Sequence, residues 1–359
     1  MTICFDIDDT ISTHLHRDYK NATPIMEVLD KIRALKGNGC RIILYTARGM
    51  LSCNGDASLA ESKNRAVLEQ WLKENNVPYD DLVFGKPLAD FYVDDKALRP
   101  EELVKLQYGE IGGFSGDKVI RAGDFVVKET KDSYRQCDWY AKANQIEGKT
   151  FYTPKVFSSR PDSYCMEYIG GGVCIADYLS SANVTESRVC LTGLKNIVSL
   201  FGSVKSEGEN DVDSFIAYVE QRSKEAGLGT TFSERERKVL KKRLREKTFC
   251  HGDLSCQNVI TSCGRLYLID PGNYLLLENN LIDAAKIRAS LCGLDDVITG
   301  KSYGLLRYIE FFDSLFDEDE ETIRILQKSH YVRVLRYADK KGDSEKVEKL
   351  KEMICRGVL

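Results

Sequence analysis

The sequence predicts an α/β protein of two domains, and two observations support this. Strand and helix signals alternate over the first hundred residues, which is typical of a parallel sheet covered by helices. From about residue 108 the pattern changes to short, glycine-interrupted strand signals and then to long helical stretches. We expect a first domain at 1–107 and a second at 108–359, in which a small β-rich lobe (108–169) is hinged to a larger helical lobe (170–359).

The elements of the first domain follow from its apolar runs and helix breakers. Buried strands are predicted at 3–7, 41–45, 82–84 and 91–93, and helices at 24–36 and 59–74. Pro24 suits the first turn of its helix, and Gly37-Asn38-Gly39 ends it. Because parallel strands bring their carboxyl ends to one edge of a sheet, we expect the catalytic residues of this domain there.

In the second domain, strand signals come first and helices follow. Strands are predicted over VIRA, FVVKE, 155–169, 259–261 and 266–270, and a helix over 132–146. Gly170-Gly171-Gly172 is the expected joint between the two lobes.

Composition argues against several classes of function. The chain of 359 residues is 43% hydrophobic and 30% charged, as soluble globular proteins are, and its net charge of -4 comes without a dense Lys/Arg block. Nucleic acid is therefore not the expected partner. The sequence contains no run of about 18 apolar residues, the length that a membrane-spanning helix needs.

The start MTICFDID lacks the pattern of a signal peptide, so we expect a cytoplasmic protein whose 12 scattered cysteines stay reduced. Oligomeric state stays open.

Four short motifs of the first domain put carboxylates and a lysine at predicted strand ends. Asp6 and Asp8 in DIDDT are two apart, so an extended chain points both to one side. A carboxylate that attacks phosphorus needs a metal ion to offset repulsion between anions, and an acid to protonate the leaving oxygen. We expect Asp6 as nucleophile, Asp8 as acid/base and Asp94 in FYVDD as a third carboxylate. Thr46 in YTARG can hydrogen-bond a phosphoryl oxygen, and Lys86 in GKP can balance its charge.

These motifs resemble those of the haloacid dehalogenase superfamily of phosphatases, most closely the small phosphatases of capsular polysaccharide gene clusters. The resemblance covers about residues 1–105, with four motifs in the order of the superfamily. It implies a Rossmann-like phosphatase domain without a large cap, with Mg²⁺ held by Asp6, Asp8 and Asp94 (or its neighbour Asp95). Lys86 lies only eight positions before Asp94, which leaves no room for a helix between them, so Lys96 is the alternative lysine.

A second set of motifs suits phosphoryl transfer from a nucleotide. Such transfer needs an orienting carboxylate, a metal clamp and a lysine on the phosphates. In HGDLSCQN, Asp253 can accept the hydroxyl proton, and Asn258 can hold Mg²⁺ together with Asp270 of IDPG. His251 is expected to brace the loop, and Lys128 in FVVKE is the expected phosphate-binding lysine.

This second set resembles the aminoglycoside and choline phosphotransferases, which are small-molecule kinases with the two-lobed protein-kinase fold. The resemblance covers roughly residues 108–340 and implies ATP as cofactor. Pro271 stands where these families commonly have Phe or Trp after the metal-binding aspartate. Asp283 in LIDAA matches the family's downstream aspartate, which steadies the catalytic loop.

The same resemblance implies the remaining nucleotide contacts. Gly113 and Ser115 belong to GGFSG, the expected loop over the phosphates. The acidic partner of Lys128 is expected on the following helix, at Asp138 or, as the alternative, Glu147. The backbone of the hinge residues is expected to meet adenine, at Glu167, Tyr168 and Ile169.

Together the motifs favour a bifunctional phosphatase-kinase acting on small hydroxylated metabolites (sugar or polyol phosphates) in the supply of surface polysaccharide precursors. The expected partners are a nucleotide and small sugar, polyol or amino-alcohol substrates. If both reactions used one position of one substrate, the chain would only hydrolyse ATP, so substrate or position should differ. One alternative is an antibiotic-modifying kinase with an accessory domain, which acidic residues near the kinase site would favour. The only acidic run, Asp317–Glu321, is more typical of a solvated helix start. Another alternative is a regulatory binding protein with one inactive domain.

Overall fold

The computed structural model describes residues 1–13, 19, 21–89, 99–100, 108–110, 117–272, 276–340 and 342–355. The chain divides into two compact units. The first comprises Met1–Ile111 with Ile120–Gly123, and the second comprises Gly112–Val119 with Asp124–Leu359.

A parallel sheet forms the centre of the first unit. The elements in chain order are β1 (Thr2–Phe5), β2 (Ser12–Thr13), β3 (Thr23–Pro24), α1 (Met26–Gly37), β4 (Arg41–Thr46), α2 (Ala57–Glu74) and β5 (Asp81–Phe84). The sheet order is β1-β4-β5, with β4 parallel to both neighbours, as the alternation of strands and helices predicts. The predicted strand at 91–93 lies outside the described residues.

The helices of this unit form because their apolar residues share one face. In α1, four buried side chains recur at helical spacing, namely Val28, Leu29, Ile32 and Leu35. The first turn of α2 is capped by Asp56, whose side chain accepts a hydrogen bond from the Leu59 N–H at 3.0 Å. One prediction was wrong in detail. Pro24 pairs with Ser12 in a two-residue strand, and the helix begins two residues later at Met26.

The remaining strands form three small antiparallel sheets. They are β6 (Tyr108–Glu110), β7 (Lys118–Ala122), β8 (Phe125–Glu129), β9 (Val156–Arg160), β10 (Ser163–Glu167), β11 (Val173–Cys174), β12 (Lys205–Glu209), β13 (Glu246–Thr248), β14 (Val259–Ser262) and β15 (Arg265–Leu268). Their orders are β6-β7-β8-β10-β9, β11-β14-β15 and β12-β13. The VIRA and FVVKE strands are thereby confirmed, whereas the β12-β13 pair was not predicted.

Helices make up most of the chain after the five-stranded sheet. They are α3 (Ser133–Asn144), α4 (Ile175–Ser181), α5 (Val184–Ser203), α6 (Val212–Glu225), α7 (Glu234–Arg243), α8 (Leu281–Leu291), α9 (Leu294–Thr299), α10 (Ile309–Ser314), α11 (Glu320–Lys340) and α12 (Ser344–Cys355), with 3₁₀ turns at Leu305–Tyr308 and Asp317–Asp319. In the described parts of the chain, no helix is long and apolar enough to cross a membrane.

Helix α8 lies at the centre of the second unit. All of its eleven residues are buried, including four polar ones, Asp283, Lys286, Arg288 and Ser290. Burial of a charged side chain is unfavourable unless a partner compensates for the lost water. The partners of Asp283 and Lys286 belong to the loop that carries the predicted kinase motif.

Candidate functional site

The HGDLSCQN loop of the second unit is held from below by Asp283 on α8. The two carboxylate oxygens of Asp283 accept the backbone N–H groups of His251 at 2.6 Å and of Gly252 at 2.8 Å. Burial raises the pKa of Asp283 to about 7, while these two hydrogen bonds favour its charged form. The steadying contact implied by the family resemblance is therefore present.

The hydrogen bonds between Asp283 and the HGDLSCQN loop give a prediction about stability. Asp283→Ala would leave two buried N–H groups without their acceptor, and each such group costs roughly 1–3 kcal/mol. We expect the second unit to lose about 2–6 kcal/mol of its free energy of unfolding. In a Trp71→Phe background, Trp139 is the one remaining tryptophan of the two in the sequence, and its ring lies 4.9 Å from that of His251. Its fluorescence during urea titration therefore reports on this unit.

The matched control for this prediction is Asp138→Ala. Asp138 is exposed on α3, so the same chemical change should alter stability by at most about 0.5 kcal/mol. Equal, small effects of the two changes would contradict the clamping role of Asp283.

His251 connects the loop to the strand that precedes Asp270. Its Nε2 donates to the carbonyl of Ile269 at 3.0 Å, and its Nδ1 accepts the N–H of Asp253 at 3.4 Å, an assignment that requires the neutral ring. Burial lowers the pKa of His251 to about 4, so the ring is neutral at physiological pH. His251 thus braces the loop, as predicted.

Asp253, the predicted base, lies between two cations. The Lys286 ammonium is 2.9 Å from its Oδ1, and the Arg333 guanidinium of α11 is 3.5 Å from its Oδ2. Burial alone would raise the pKa of Asp253, but Arg333 and Lys286 outweigh it and hold that pKa well below its ordinary value. The carboxylate is therefore charged and able to accept a hydrogen bond from a hydroxyl group.

Asp270 and Lys128 form the second part of this centre. Lys128 is almost fully buried on β8, and its ammonium contacts Oδ1 of Asp270 directly. Asp270 has a left-handed backbone (φ 56°), and its N–H donates to the Tyr140 hydroxyl at 3.0 Å. Gln136 adds an amide donor to Oδ1 of Asp270 at 3.0 Å. The neutral side chains of Tyr140 and Gln136 thus position this carboxylate beside the ammonium of Lys128.

The donor set fits Mg²⁺. Asn258 donates its Nδ2 to the carbonyl of Asp253 at 2.8 Å, so its side-chain oxygen is the atom that could bind a metal ion. The N–H of Ile269 donates to the carbonyl of Asn258 at 3.0 Å and keeps Asn258 beside the strand that ends at Asp270. A carboxylate and an amide oxygen are ligands that Mg²⁺ accepts, with the rest supplied by water and nucleotide phosphates.

The unusual Pro271 is accommodated by neighbouring backbone contacts. The carbonyl of Pro271 accepts Nε2 of Gln136 at 3.2 Å, and the N–H of Gly272 donates to the carbonyl of His251 at 3.0 Å. A Cβ at Gly272 would lie 2.5 Å from the Cβ of Asp253, so only glycine allows this approach. The IDPG segment is thereby packed directly against the catalytic loop.

The predicted partner of Lys128 requires correction. Asp138 forms an exposed ion pair with Lys142 at 2.7 Å, whereas the acidic contacts of Lys128 are Asp117 at 3.2 Å and Asp270. The reason is helical geometry, since residues two apart on a helix point in nearly opposite directions. Gln136, not Asp138, faces the centre; the alternative, Glu147, is exposed beyond the helix end.

Sequence reasoning missed three residues of this centre, namely Gln136, Lys286 and Arg333. The sequence pattern could have identified two of them. Gln136 belongs to the inward-facing stripe of α3, whose buried members are spaced three and four apart. Lys286 interrupts the otherwise apolar run after Asp283 and lies one helical turn from it. Nothing in the local pattern distinguishes Arg333 from the other arginines of α11.

Only some of the residues predicted to contact the nucleotide belong to the part of the chain that the structure describes. Gly113 and Ser115 lie outside the described residues. In the hinge, the N–H of Glu167 donates to the carbonyl of Lys155 and that of Tyr168 to the carbonyl of Asp124, both at 2.8 Å. The carbonyl of Ile169 in turn accepts the N–H of Gly172 at 3.2 Å, so these three hinge groups are engaged within the protein.

The first unit carries a separate carboxylate-lysine pair at the carboxyl edge of its sheet. Asp6 follows β1, and its Oδ2 lies 2.5 Å from the ammonium of Lys86, which follows β5. Gly85 allows the chain to turn there because its backbone is left-handed (φ 93°) and a Cβ would lie 2.9 Å from that of Ala57. Asp94, Asp95 and Lys96 lie outside the described residues.

Arg48 is a further residue of this edge that sequence reasoning missed. It is 1% exposed and makes an ion pair with Asp8, its Nε and Nη2 each 2.8 Å from Oδ1. The hydroxyl of the buried Thr46 accepts the N–H of Arg48 at 3.0 Å. The signal was available, since Arg48 lies inside the YTARG motif. Arg48 orients Asp8 at the same edge as Asp6.

Comparisons with known proteins add information on the fold. No family model and no curated protein matches the chain. A crystal structure of a thermostable mutant of aminoglycoside phosphotransferase APH(4)-Ia is 13% identical, with a TM-score of 0.50, over 70% of this chain and 94% of that one. At 13% sequence identity, this structural similarity is evidence for the fold only. The chain thus contains a kinase-like fold of the aminoglycoside phosphotransferase type, and the predicted resemblance is confirmed at that level.

Two further structures are similar over parts of the chain. A glucosamine kinase in complex with glucosamine, ADP and inorganic phosphate is 14% identical over 70% of this chain and 78% of that one, with a TM-score of 0.43. A structural-genomics target from Vibrio cholerae is 30% identical over 30% of this chain and 89% of that one, with a TM-score of 0.29. The haloacid dehalogenase resemblance stays a prediction.

Proposed function

We propose that the chain is a bifunctional phosphatase-kinase that acts on small hydroxylated metabolites, such as sugar or polyol phosphates, in the supply of surface polysaccharide precursors. The observation that carries the proposal is the presence of two carboxylate-lysine centres, one in each unit. Asp6 pairs with Lys86 in the first unit, and Asp270 pairs with Lys128 beside Asp253 in the second.

In the kinase reaction, Asp253 accepts the hydrogen bond of the acceptor hydroxyl and orients its oxygen toward the γ-phosphorus of ATP. The oxygen forms its bond to phosphorus, the bond to the ADP oxygen breaks, and the hydroxyl proton passes to Asp253. Asn258 and Asp270 would hold Mg²⁺, which neutralises charge on the phosphates when bound. Lys128 stabilises the phosphate oxygens. The aminoglycoside phosphotransferase fold supports this assignment because the motif residues converge on one centre.

In the phosphatase reaction, Asp6 attacks the phosphorus of a phosphate monoester. An aspartyl phosphate forms, the ester bond breaks, and Asp8 gives a proton to the departing alcohol. Asp8 then takes a proton from the water that hydrolyses the aspartyl phosphate. Lys86 and the Thr46 hydroxyl stabilise the phosphoryl oxygens, and Asp94 would complete the Mg²⁺ ligands with Asp6 and Asp8. The contact between Arg48 and Asp8 supports a fixed orientation of the acid.

If the chain catalyses both reactions, the phosphatase and the kinase must differ in their substrate or in the carbon atom on which they act. Removal and addition of phosphate at one carbon would consume ATP without product, so the phosphatase and the kinase act on different carbons or different metabolites. Removal at one carbon and addition at another would convert one sugar phosphate into another.

Asp270→Asn tests the proposed metal site of the kinase. Loss of a charge-assisted contact to the cation is worth about 10- to 100-fold in affinity. We expect the Mg²⁺ concentration that gives half-maximal ADP formation to rise by that factor, while phosphatase turnover is unchanged. The matched control is Asp162→Asn in the exposed β9–β10 turn, which should leave both reactions as they are. An unchanged Mg²⁺ requirement in Asp270→Asn would contradict the role of this carboxylate.

A further inference from the structure

We infer that Gln136, held by Tyr164, is a positioning residue for metal binding that gives the two oxygens of Asp270 different tasks. One oxygen, Oδ1, stays bound by the protein, and the other, Oδ2, is left to the cation. This inference deepens the proposed kinase function and rests on it. The side chains concerned come from α3, from β10 and from the segment that follows β15.

The orientation of the Gln136 amide follows from its partners. Its nitrogen lies 3.0 Å from Oδ1 of Asp270 and 3.2 Å from the carbonyl oxygen of Pro271. A charged carboxylate and a carbonyl only accept hydrogen bonds. The amide oxygen accepts the hydroxyl of Tyr164 at 2.9 Å. If the amide were turned over, its oxygen would face two acceptors, so Gln136 must be a donor toward Asp270.

Tyr164 holds this amide from the side of the sheet. It is 2% exposed, and burial raises the pKa of its hydroxyl, which therefore stays protonated and donates. Tyr164 on β10 lies directly opposite Lys128 on β8, so both side chains emerge on one face of the sheet. Helix α3 is anchored to the same strand, because its Ser133 hydroxyl donates to the carbonyl of Ser163 at 2.8 Å. Sheet register and helix anchoring thus set the position of the Gln136 amide.

The two oxygens of Asp270 have different surroundings. In the described part of the chain, the ammonium of Lys128 and the amide of Gln136 both contact Oδ1. The Asp270 side chain is 37% exposed, so an incoming ligand can reach it. Because donors already occupy Oδ1, Oδ2 is the oxygen that a cation can bind.

The neutral charge of Gln136 matters once a nucleotide is bound. In the proposed reaction Lys128 binds phosphate oxygens, so its attraction to Asp270 is then shared with the nucleotide. Gln136 carries no charge for a phosphate to attract, and it keeps its hydrogen bond to Oδ1. A second carboxylate in its place would repel Asp270 and compete for Lys128. Partners that orient a metal ligand in this way typically change metal affinity about 10- to 100-fold.

The test measures affinity for the metal without turnover. Mn²⁺ stands in for Mg²⁺, and the EPR signal of free Mn²⁺ is followed during titration of full-length protein with equimolar ADP, with a correction for the Mn²⁺–ADP complex. Gln136→Met keeps the length of the side chain but removes its N–H donor, and we expect the Kd for Mn²⁺ to rise about 10- to 100-fold. Tyr164→Phe removes only the hydroxyl that holds the amide, and the same Kd should rise about three- to tenfold.

The double variant shows whether Tyr164 acts through Gln136. If it does, Tyr164→Phe should change the Kd for Mn²⁺ by less than about twofold in the Gln136→Met background, because the amide that it holds is gone. The matched controls are Gln145→Met and Tyr134→Phe. They alter exposed residues near the two ends of α3 and should leave the Kd for Mn²⁺ as in wild type.

A second titration separates positioning from packing. Loss of packing would weaken the binding of Mn²⁺ and of metal-free ADP by the same factor. A positioning role raises the Kd for Mn²⁺ at least about threefold more than the Kd for metal-free ADP, because the metal is what the oriented carboxylate binds. Equilibrium titration of the same variants with fluorescent ADP in EDTA gives the second Kd.

Four results would overturn the inference. They are an unaltered Kd for Mn²⁺ in Gln136→Met, an equal rise of both Kd values, additive effects of the two changes, and, if Gln136→Met does not fold, an unaltered Kd for Mn²⁺ in Tyr164→Phe. A wild-type protein that binds ADP neither with nor without Mn²⁺ would instead show that the proposed kinase function itself is wrong.

Discussion

Asp253→Asn is expected to lower the rate of kinase turnover by about 10²- to 10⁴-fold, the usual contribution of a positioned base. The amide keeps the size of the side chain but cannot accept the hydroxyl proton. The affinity for ATP should stay within about threefold of wild type, because Lys128, Asn258 and Asp270 are untouched. Steady-state ADP formation gives the turnover, and equilibrium titration with a fluorescent ATP analogue gives the affinity.

The control for this prediction is Asp138→Asn. The same isosteric change there affects only an exposed pair with Lys142, so turnover should equal that of wild type. If Asp253→Asn kept more than a tenth of wild-type turnover, Asp253 would not be the base. If both turnover and ATP affinity collapsed together, the change would have damaged the fold rather than the chemistry.

Asp6→Asn is expected to abolish Mg²⁺-dependent phosphatase activity, with a loss of at least about 10³-fold, because an amide cannot serve as the nucleophile. Kinase turnover should be unaffected. Phosphate release from p-nitrophenyl phosphate measures the first activity, and ADP formation measures the second. Asp30→Asn on α1 is the matched control, since its side chain is 68% exposed and pairs only with a neighbouring arginine in the described contacts.

Phosphatase activity that survives Asp6→Asn at the wild-type rate would show that the Asp6–Lys86 pair is structural. Loss of kinase turnover in the same variant would show that the change acts on more than the first unit. Either result would contradict the assignment of one reaction to each unit.

The residues of both centres that the sequence predicted belong to contiguous motifs. Asp6 and Asp8 follow a strand directly, and His251, Asp253 and Asn258 share one short loop, so local order along the chain already implies proximity. Asp270 was predicted by the same reasoning because it ends the next strand signal. The kinase-like fold followed from the order of these motifs.

The residues that the sequence did not reveal reach the centre through tertiary packing. Lys286 is brought to Asp253 by a fully buried helix, and Arg333 comes from α11, far along the chain. Asp117 meets Lys128 through sheet geometry. The partner of Lys128 was mispredicted because Asp138 was chosen for its negative charge alone. The position of each residue around the helix shows that Gln136, and not Asp138, faces inward.

The prediction of secondary structure failed where the usual sequence signals are weak. The strand Lys205–Glu209 reads KSEGE and is exposed throughout, so no alternation of buried and polar residues marks it. It forms by pairing with Glu246–Thr248, which no local pattern encodes. Pro24 satisfied a helix-start rule, yet pairing with Ser12 placed it in a strand instead.

The central claim is that one chain carries two independent phosphoryl centres. The most direct measurement follows Mg²⁺-ATP and glucose 6-phosphate by ³¹P NMR with four full-length proteins: wild type, Asp6→Asn, Asp253→Asn and the double variant. We predict that Asp6→Asn stops the release of inorganic phosphate from the sugar and retains ADP formation, that Asp253→Asn does the reverse, and that the double variant does neither. A single variant that loses both signals, or a double variant that keeps either one, would contradict the claim.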